Sequence, residues 1–488
     1  MKRYIIQSIL IFIIFGTSIF ASGQADSLSR YLEIAGQNNP AVKAAFHSYE
    51  AALQKIPQAG ALEDPRLDMG FFLHPMELLN GRQIAQFQLM QMFPWFGVRK
   101  AARTEAQHMA QMTFETFREA RDNLFLEIYT QWYALCALVQ QQNYNEENKK
   151  LLQQLESLAL QRFSSGAESQ GPTTGAREPM NENTPAMSSG MSGMNSMPGT
   201  NKTTSSTTNP PSKNSGGSPD MNMTGATFGL SEVLRIQIEI AELESNIESV
   251  RSELFAGKAR FNALLNRPPE SEVTLPDELL QIPFSFNTEE FLAMITEKNP
   301  MLGMVREETL AYAAQSEMEK KMAYPMFGIG LQYMLIGKTS ETVHTDMDTG
   351  SNSGGNMNGK DMLMPMVSIS IPIYRNKYKA AQRESKLLQQ AGEEKYADTF
   401  NRLRAELYQL KFQLDDAERK IALYRQQTVL VRSIRELKIS EFLTGKGDLN
   451  AVLQIQREFL DYQLKESDAI AGYNTLVANI QKMVISNE

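Results

Sequence analysis

The chain has 488 residues, 42% of them apolar and 21% charged, an ordinary globular usage that excludes a wholly disordered or collagen-like polymer. The net charge is −8 with Lys and Arg scattered, which argues against a nucleic-acid partner. A single Cys, Cys136, allows no internal disulfide and no Cys-based zinc site, and four His without a tight pair disfavour a His-ligated catalytic metal. No cofactor is expected. Methionine is in excess at 27 residues.

The N-terminus begins with Lys2 and Arg3, followed by a nearly continuous apolar run from Tyr4 to Phe20 and the small residues Ala21, Ser22 and Gly23. This reads as a secretory signal peptide over residues 1–23, cleaved before Gln24. A retained membrane anchor is the alternative. No Cys stands at the cleavage point to carry a lipid. Beyond the N-terminus no run reaches twenty apolar residues, so a helical membrane bundle is excluded.

The remainder repeats itself. Asn39-Pro40, Pro65 and Gly70 recur 260 residues later as Asn299-Pro300, Pro325 and Gly330. Pro94 in FPWFGVRKAA is answered 278 residues on by Pro372 in IPIYRNKYKAA. Phe163 and Gly166 match Phe442 and Gly445 at 279, and Val233-Leu234 match Val452-Leu453 at 219. A colinear series of this kind marks an internal duplication. It divides the chain into a first repeat, 24–266, a linker, 267–287, and a second repeat, 288–488. The changes in offset locate two insertions rich in Gly, Ser, Asn, Thr and Met, at 167–229 and within 336–361; such composition does not bury enough apolar surface to order.

In chain order, each repeat opens with helical spacing, read in the first as one helix over about Ser27–Gln58. Then come half-polar strands, Arg66–Leu73 and Gln83–Phe93 in the first repeat, Met326–Leu335 and Met362–Ile371 in the second. In the second strand, Ile84, Phe87, Leu89 and Met92 are read as the apolar face against Gln83, Gln86, Gln88 and Gln91. Two-faced strands of this length suit a transmembrane barrel, and aromatics at their ends (Phe71, Phe72, Phe93, Trp95, Phe96, Tyr324, Tyr374) suit interface girdles. An ordinary soluble sheet is the alternative. Long helices follow: Ala102–Phe163 and Lys379–Phe442, rods of about 93 and 96 Å. Return helices cover Leu230–Asn266 and Leu449–Ser486. A leading and a return helix together nearly equal one rod, so two short helices stacked end to end fit beside each long one. Four strands close no pore, whereas three chains give twelve. The expected fold is therefore an α+β membrane protein, a long helical coiled-coil tunnel with four strands per chain contributing to a 12-stranded barrel in a homotrimer.

The double helix–strand–strand–helix order, the Asn-Pro steps, the junctions FPWFGVRKAA and IPIYRNKYKAA, and the hairpins at Arg162–Gly166 with Leu230–Gln237 and at Phe442–Gln456 resemble the TolC family of outer-membrane efflux channels, including its copper/silver branch. The resemblance implies strands in the outer membrane, helices in the periplasm, a periplasmic adaptor (membrane fusion protein), an inner-membrane RND-type pump and contact with outer-membrane lipid. It also implies that Phe163, Gly166, Phe442, Gly445, Asp448 and Leu449 make adaptor contacts and shape the aperture. Where family channels often carry acidic gating residues, this chain reads Asn450, Ala451, Val452, Leu453, Gln454.

The first insertion holds Met180, Met187, Met191, Met194, Met197, Met221 and Met223, with no His or Cys. Thioether sulfur is a soft, neutral ligand that selects Cu(I) or Ag(I), so these residues are candidate metal ligands. The same composition also suits a passive spacer. The second insertion offers His344, Met347 and Met357 more weakly, and a solvated loop is the simpler account. His108 with Met112 and Met318 with Met322 are helical neighbours read as packing, and Cys136 as a buried small hydrophobe. No nucleophile–base pair, phosphate loop or paired carboxylates emerge, so catalysis is not expected. The expected function is an exit duct for Cu(I)/Ag(I). Its rivals are the same duct for drugs, organic solutes or divalent metals, and a secreted coiled-coil structural protein.

Overall fold

The computed structural model describes residues 22–74, 77–78, 81–168, 230–338, 359–444 and 446–484. The expected signal segment up to residue 21 and all ten candidate metal ligands of the two insertions lie outside these residues. Each repeat is a long helix flanked by shorter ones and a pair of main strands. In the first, α1 (Ser22–Asn38) and α2 (Pro40–Ala59) lead into β1 (Arg66–Phe71), the two-residue β2 (Glu77–Leu78) and β3 (Gly81–Phe93). Then α3 (Val98–Glu168) runs 71 residues, about 107 Å, and α4 (Leu230–Leu264) returns. The second repeat follows the same order: α5 (Thr288–Lys298), α6 (Pro300–Met322), β4 (Met326–Gly337), β5 (Met362–Ser370), α7 (Arg375–Leu443, 69 residues) and α8 (Leu449–Val484).

The leading helix is not continuous. Pro40 has no amide hydrogen and its ring disfavours helical geometry at the residue before it, so Asn39 sits extended at φ −62°, ψ 125° and caps α2. Asn299 does the same for α6 at φ −67°, ψ 124°. These two side chains also join the repeats' ends. Asn39 Oδ1 accepts from the amides of Ala41 (2.9 Å) and Val42 (3.3 Å), while its Nδ2 donates to the Leu264 carbonyl at the end of α4 (2.9 Å). Asn299 Oδ1 accepts from Met301 (3.0 Å) and Leu302 (3.4 Å), and its Nδ2 donates to the Met483 carbonyl near the end of α8 (3.1 Å). A helix N-terminus and another helix's C-terminus thus share one amide, which satisfies groups that both ends would otherwise leave unpaired. This is the end-to-end stacking expected from length, with α2 rather than the whole of 27–58 as the leading partner.

The main hydrophobic core lies midway along the helices, where α1, α5 and the segment between α4 and α5 wrap the long helices. Trp132, fully buried, meets Tyr31 (5.7 Å) and Phe261 (5.9 Å). Asn474 fastens the intervening segment by accepting from the Ile282 amide and donating to the Leu280 carbonyl. A second core holds the opposite helix ends together, from Leu152, Leu155 and Val233 to Phe442 and Val452. Among the described residues no helix is long and apolar enough to cross a membrane.

Candidate functional site: the sheet and the helical tips

The strands form one antiparallel sheet in the order β1-β3-β4-β5, with β2 extending it beside β3. Register fixes its faces. Leu89 is opposite Leu67 and Leu331; Phe87 is opposite Met69 and Tyr333; Ile329 is opposite Val367, and Phe327 opposite Ile369. That face is apolar almost throughout, and much of it is exposed: Val367 is 77% exposed and Ile329 62%. The other face carries Arg66, Asp68, Gln86, Gln88, Gln332, Ser368 and Ser370, interleaved with glycine and methionine. One face thus suits lipid and the other a polar lumen, the alternation of a transmembrane barrel strand.

The structure corrects the sequence reading of β3. Met92 shares the polar face with Gln86 and Gln88, while Gln91 falls in the row of Phe87, Leu89 and Phe93. An irregularity between Gln83 and Ala85 puts Ile84 out of phase with the strand after it. Gln91 is accommodated because it sits near the strand's lower end, where its Nε2 donates to the Glu63 carbonyl at 2.7 Å.

Below the sheet is an aromatic belt. Trp95 stacks on Tyr324 (5.3 Å) and Phe327 (5.7 Å), and Phe96 beside it is 84% exposed. Gly97 turns the chain into α3 with φ +85°, a conformation that costs other residues. A cavity of about 350 Å³ lies here, lined by Trp95, Tyr324, Tyr378, Met318, Met322 and Met326. Nearby, His108 Nδ1 lies 2.7 Å from Glu307 Oε2, tying α3 to α6; sequence spacing alone had paired His108 with Met112.

At the other end, the tip residues fall into separate groups. Phe442 and Leu449 are fully buried in the second core, so they hold the hairpin together rather than offering a surface. Asp448 caps α8, its Oδ1 accepting from the Asn450 amide at 3.2 Å. Phe163 and Gly166 lie within α3, the Phe163 side chain outside what is described, and Gly445 lies outside the described residues. Sequence reasoning missed Gly447. Its amide donates to the Glu441 carbonyl at 3.0 Å, and a Cβ there would stand 2.7 Å from the Phe442 backbone nitrogen. Behind the tip, Nε and Nη2 of Arg457 on α8 donate to the two carboxylate oxygens of Glu239 on α4. Arg435 lies 4.1 Å over the Phe459 ring; burial, with Arg432 beside it, pulls its pKa below the usual guanidinium value. Among the described residues no three His, Cys, Asp or Glu side chains converge on one point.

Comparison with known proteins now decides the fold. A family model described as outer membrane efflux protein matches residues 31–185, from within α1 to just beyond α3. The crystal structure of the outer membrane protein VceC from Vibrio cholerae superposes with a TM-score of 0.65 at 13% identity, covering 94% of this chain and 96% of that one. The chain has the outer-membrane efflux channel fold. CusC, whose crystal structures describe transmembrane channel formation, matches with a TM-score of 0.65 at 11% identity over 96% of this chain and 95% of that one. The CmeC outer membrane channel of Campylobacter jejuni matches with 0.58 at 12% identity, over 96% and 88%. No curated protein matches by sequence. At these identities the likeness to the solved structures is one of fold. The family match is to outer-membrane transport channels, which agrees with the location and the non-enzymatic role expected from the sequence.

Proposed function

We propose that three copies of this chain form the outer-membrane exit duct of a tripartite efflux system carrying Cu(I)/Ag(I). The observation that carries the duct is the two-faced, open-edged sheet at the end of two rods. Among the described residues β1 and β5 each pair on one side only. Lipid offers no partners for the free edges, so the sheet needs closure by other copies. Successive neighbours are antiparallel, so β1 and β5 run in opposite directions and β5 of one copy continues the alternation beside β1 of the next. Three copies give twelve strands, an even number wide enough for a water-filled lumen. Residues 1–23 act as the export leader.

The exposed tip residues Leu443, Lys446 and Asn450, rather than buried Phe442 and Leu449, meet the periplasmic adaptor that links the duct to an inner-membrane pump. The cargo reading rests on the seven methionines of 167–229, placed by the repeat at the adaptor-facing end. The duct is tested by reconstituting the protein in planar bilayers, where discrete conductance steps are expected and their absence rejects it. The cargo is tested by deleting residues 171–223 and measuring copper, silver and zinc tolerance. Reduced copper and silver tolerance with unchanged zinc tolerance supports it; unchanged tolerance to all three removes the segment's role.

A further inference from the structure

The polar face of the sheet is unusually rich in one apolar residue. Eight methionines occur on the described main strands. Only Met69 lies on the lipid-type face; Met90 and Met92 of β3, Met326 and Met334 of β4, and Met362, Met364 and Met366 of β5 all lie on the opposite one. In those paired rows, from Met326 to Met334 on β4, Leu, Ile and Val occur only on the lipid-type face. Methionine chosen merely as a hydrophobe belongs with them. Its segregation among Gln, Ser and Gly points to the thioether sulfur rather than to apolar surface.

The sulfurs are also gathered. The Ser368 hydroxyl lies 3.4 Å from Met90 Sδ and 3.7 Å from Met92 Sδ. Both sulfurs occupy the space above Gly328, where a Cβ would stand 2.6 Å from Met92 Sδ and 3.3 Å from Met90 Sδ. Gly330 leaves similar room, its absent Cβ 3.3 Å from Met90 Sδ, and Met366 flanks that glycine on β5 in register. Two glycines on the central strand thus let the two thioethers of β3 lean toward one patch, with Met366 of β5 in register beside it.

We infer that Met90, Met92 and Met366, beside Ser368 and over Gly328 and Gly330, form a lumen-side binding site for Cu(I) or Ag(I). Neutral sulfur ligands bind a soft monovalent cation while leaving hard divalent ions in water. The thioethers bring no charge to hold a cation fast, and Arg66, opposite Met90 in register, is ion-paired with Asp68 at 2.9 Å, which suits a binding step within a passage. It rests on the duct reading, since only a lumen gives ions access to this face, and it is independent of the methionines in 167–229.

The test is methionine-resolved oxidation of the full-length assembled protein by dilute peroxide, read by peptide mass spectrometry with and without Ag(I). At free Ag(I) ten times the dissociation constant, oxidation of Met90, Met92 and Met366 slows about tenfold, as the unbound fraction falls. Met69 is unaffected, and Zn(II) protects none of them. Gly328→Ala, which keeps all three sulfurs but intrudes on two of them, weakens the protection; the volume-conserving variant M90L/M92L/M366L binds correspondingly less Ag(I) in equilibrium dialysis of the assembled protein. Equal oxidation with and without Ag(I), or equal protection by Zn(II), overturns the site. Deleting the whole channel from cells distinguishes the two readings. Lost silver tolerance with no protection at these methionines rejects the site alone, whereas protection with unchanged tolerance keeps the site and rejects the cargo.

Discussion

Asn299→Ala removes a cap and a splice in one change. Asn299 is 7% exposed, and its oxygen accepts from two amides of the first turn of α6. Losing such a cap costs about 1 kcal/mol. Its Nδ2 is also the donor to the carbonyl of buried Met483, and leaving that oxygen unpaired costs about 1–3 kcal/mol more. The combined loss of about 2–4 kcal/mol corresponds to roughly thirtyfold or more in the local opening equilibrium. Hydrogen exchange by mass spectrometry reads it directly: peptides covering the start of α6 and the end of α8 exchange faster together, while the tip and the sheet do not change. Asn299→Asp separates the two roles. A carboxylate still accepts the cap and suits a helix N-terminus, but it cannot donate to Met483. Protection is then kept at α6 and lost at α8. Unchanged exchange at both ends in Asn299→Ala refutes the splice, and with it the proposal that the matching Asn39→Ala loosens α2 and α4.

A lysine distinguishes the two faces of the sheet. Val367→Lys on the lipid-type face costs about 2–4 kcal/mol near the bilayer midplane and reduces the yield of the proposed three-chain assembly in native electrophoresis, while Met364→Lys on the opposite face of the same strand leaves it intact. Phe442→Ala empties a fully buried site at the tip and costs about 3–5 kcal/mol, seen as faster limited proteolysis between α7 and α8; an unchanged rate excludes its role there. Burial pushes the Cys136 thiol up to about 12 from an ordinary value of 9.0. Because the folded thiol holds its proton longer than the unfolded one, its contribution is intact below pH 9 and is lost as the pH rises from 9 toward 12. Iodoacetamide at pH 9 therefore labels Cys136 in the unfolded chain but not in the folded one, and rapid labelling of the folded protein contradicts the burial.

The duplication, the rods and the strands were legible because each leaves a signal along the chain. Matching offsets paired Asn39 with Asn299, and long runs without Pro, broken by Gly only at Gly392 in the second, marked out the rods of α3 and α7. What an Asn side chain does across 184 residues, from Asn299 to the Met483 carbonyl, leaves no local trace. The same holds for Gly447, whose role depends on how closely the chain returns to Phe442. Residue type alone placed Met92 on the wrong face of β3: the two-residue period from Phe87 and Leu89 leads to Gln91, which is paired locally with Glu63, and the irregularity at Gln83–Ala85 displaces only Ile84. The methionine excess was visible in the composition, yet sequence drew attention to the insertions. The strand methionines acquire meaning only when register sets Met92, Gly328 and Ser368 in one row.

Native mass spectrometry of the protein extracted from outer membranes in mild detergent counts the chains of the proposed closed channel. A single assembly of three chains that persists after the detergent is stripped in the gas phase is expected. A water-soluble monomer, or an assembly of another size, contradicts it.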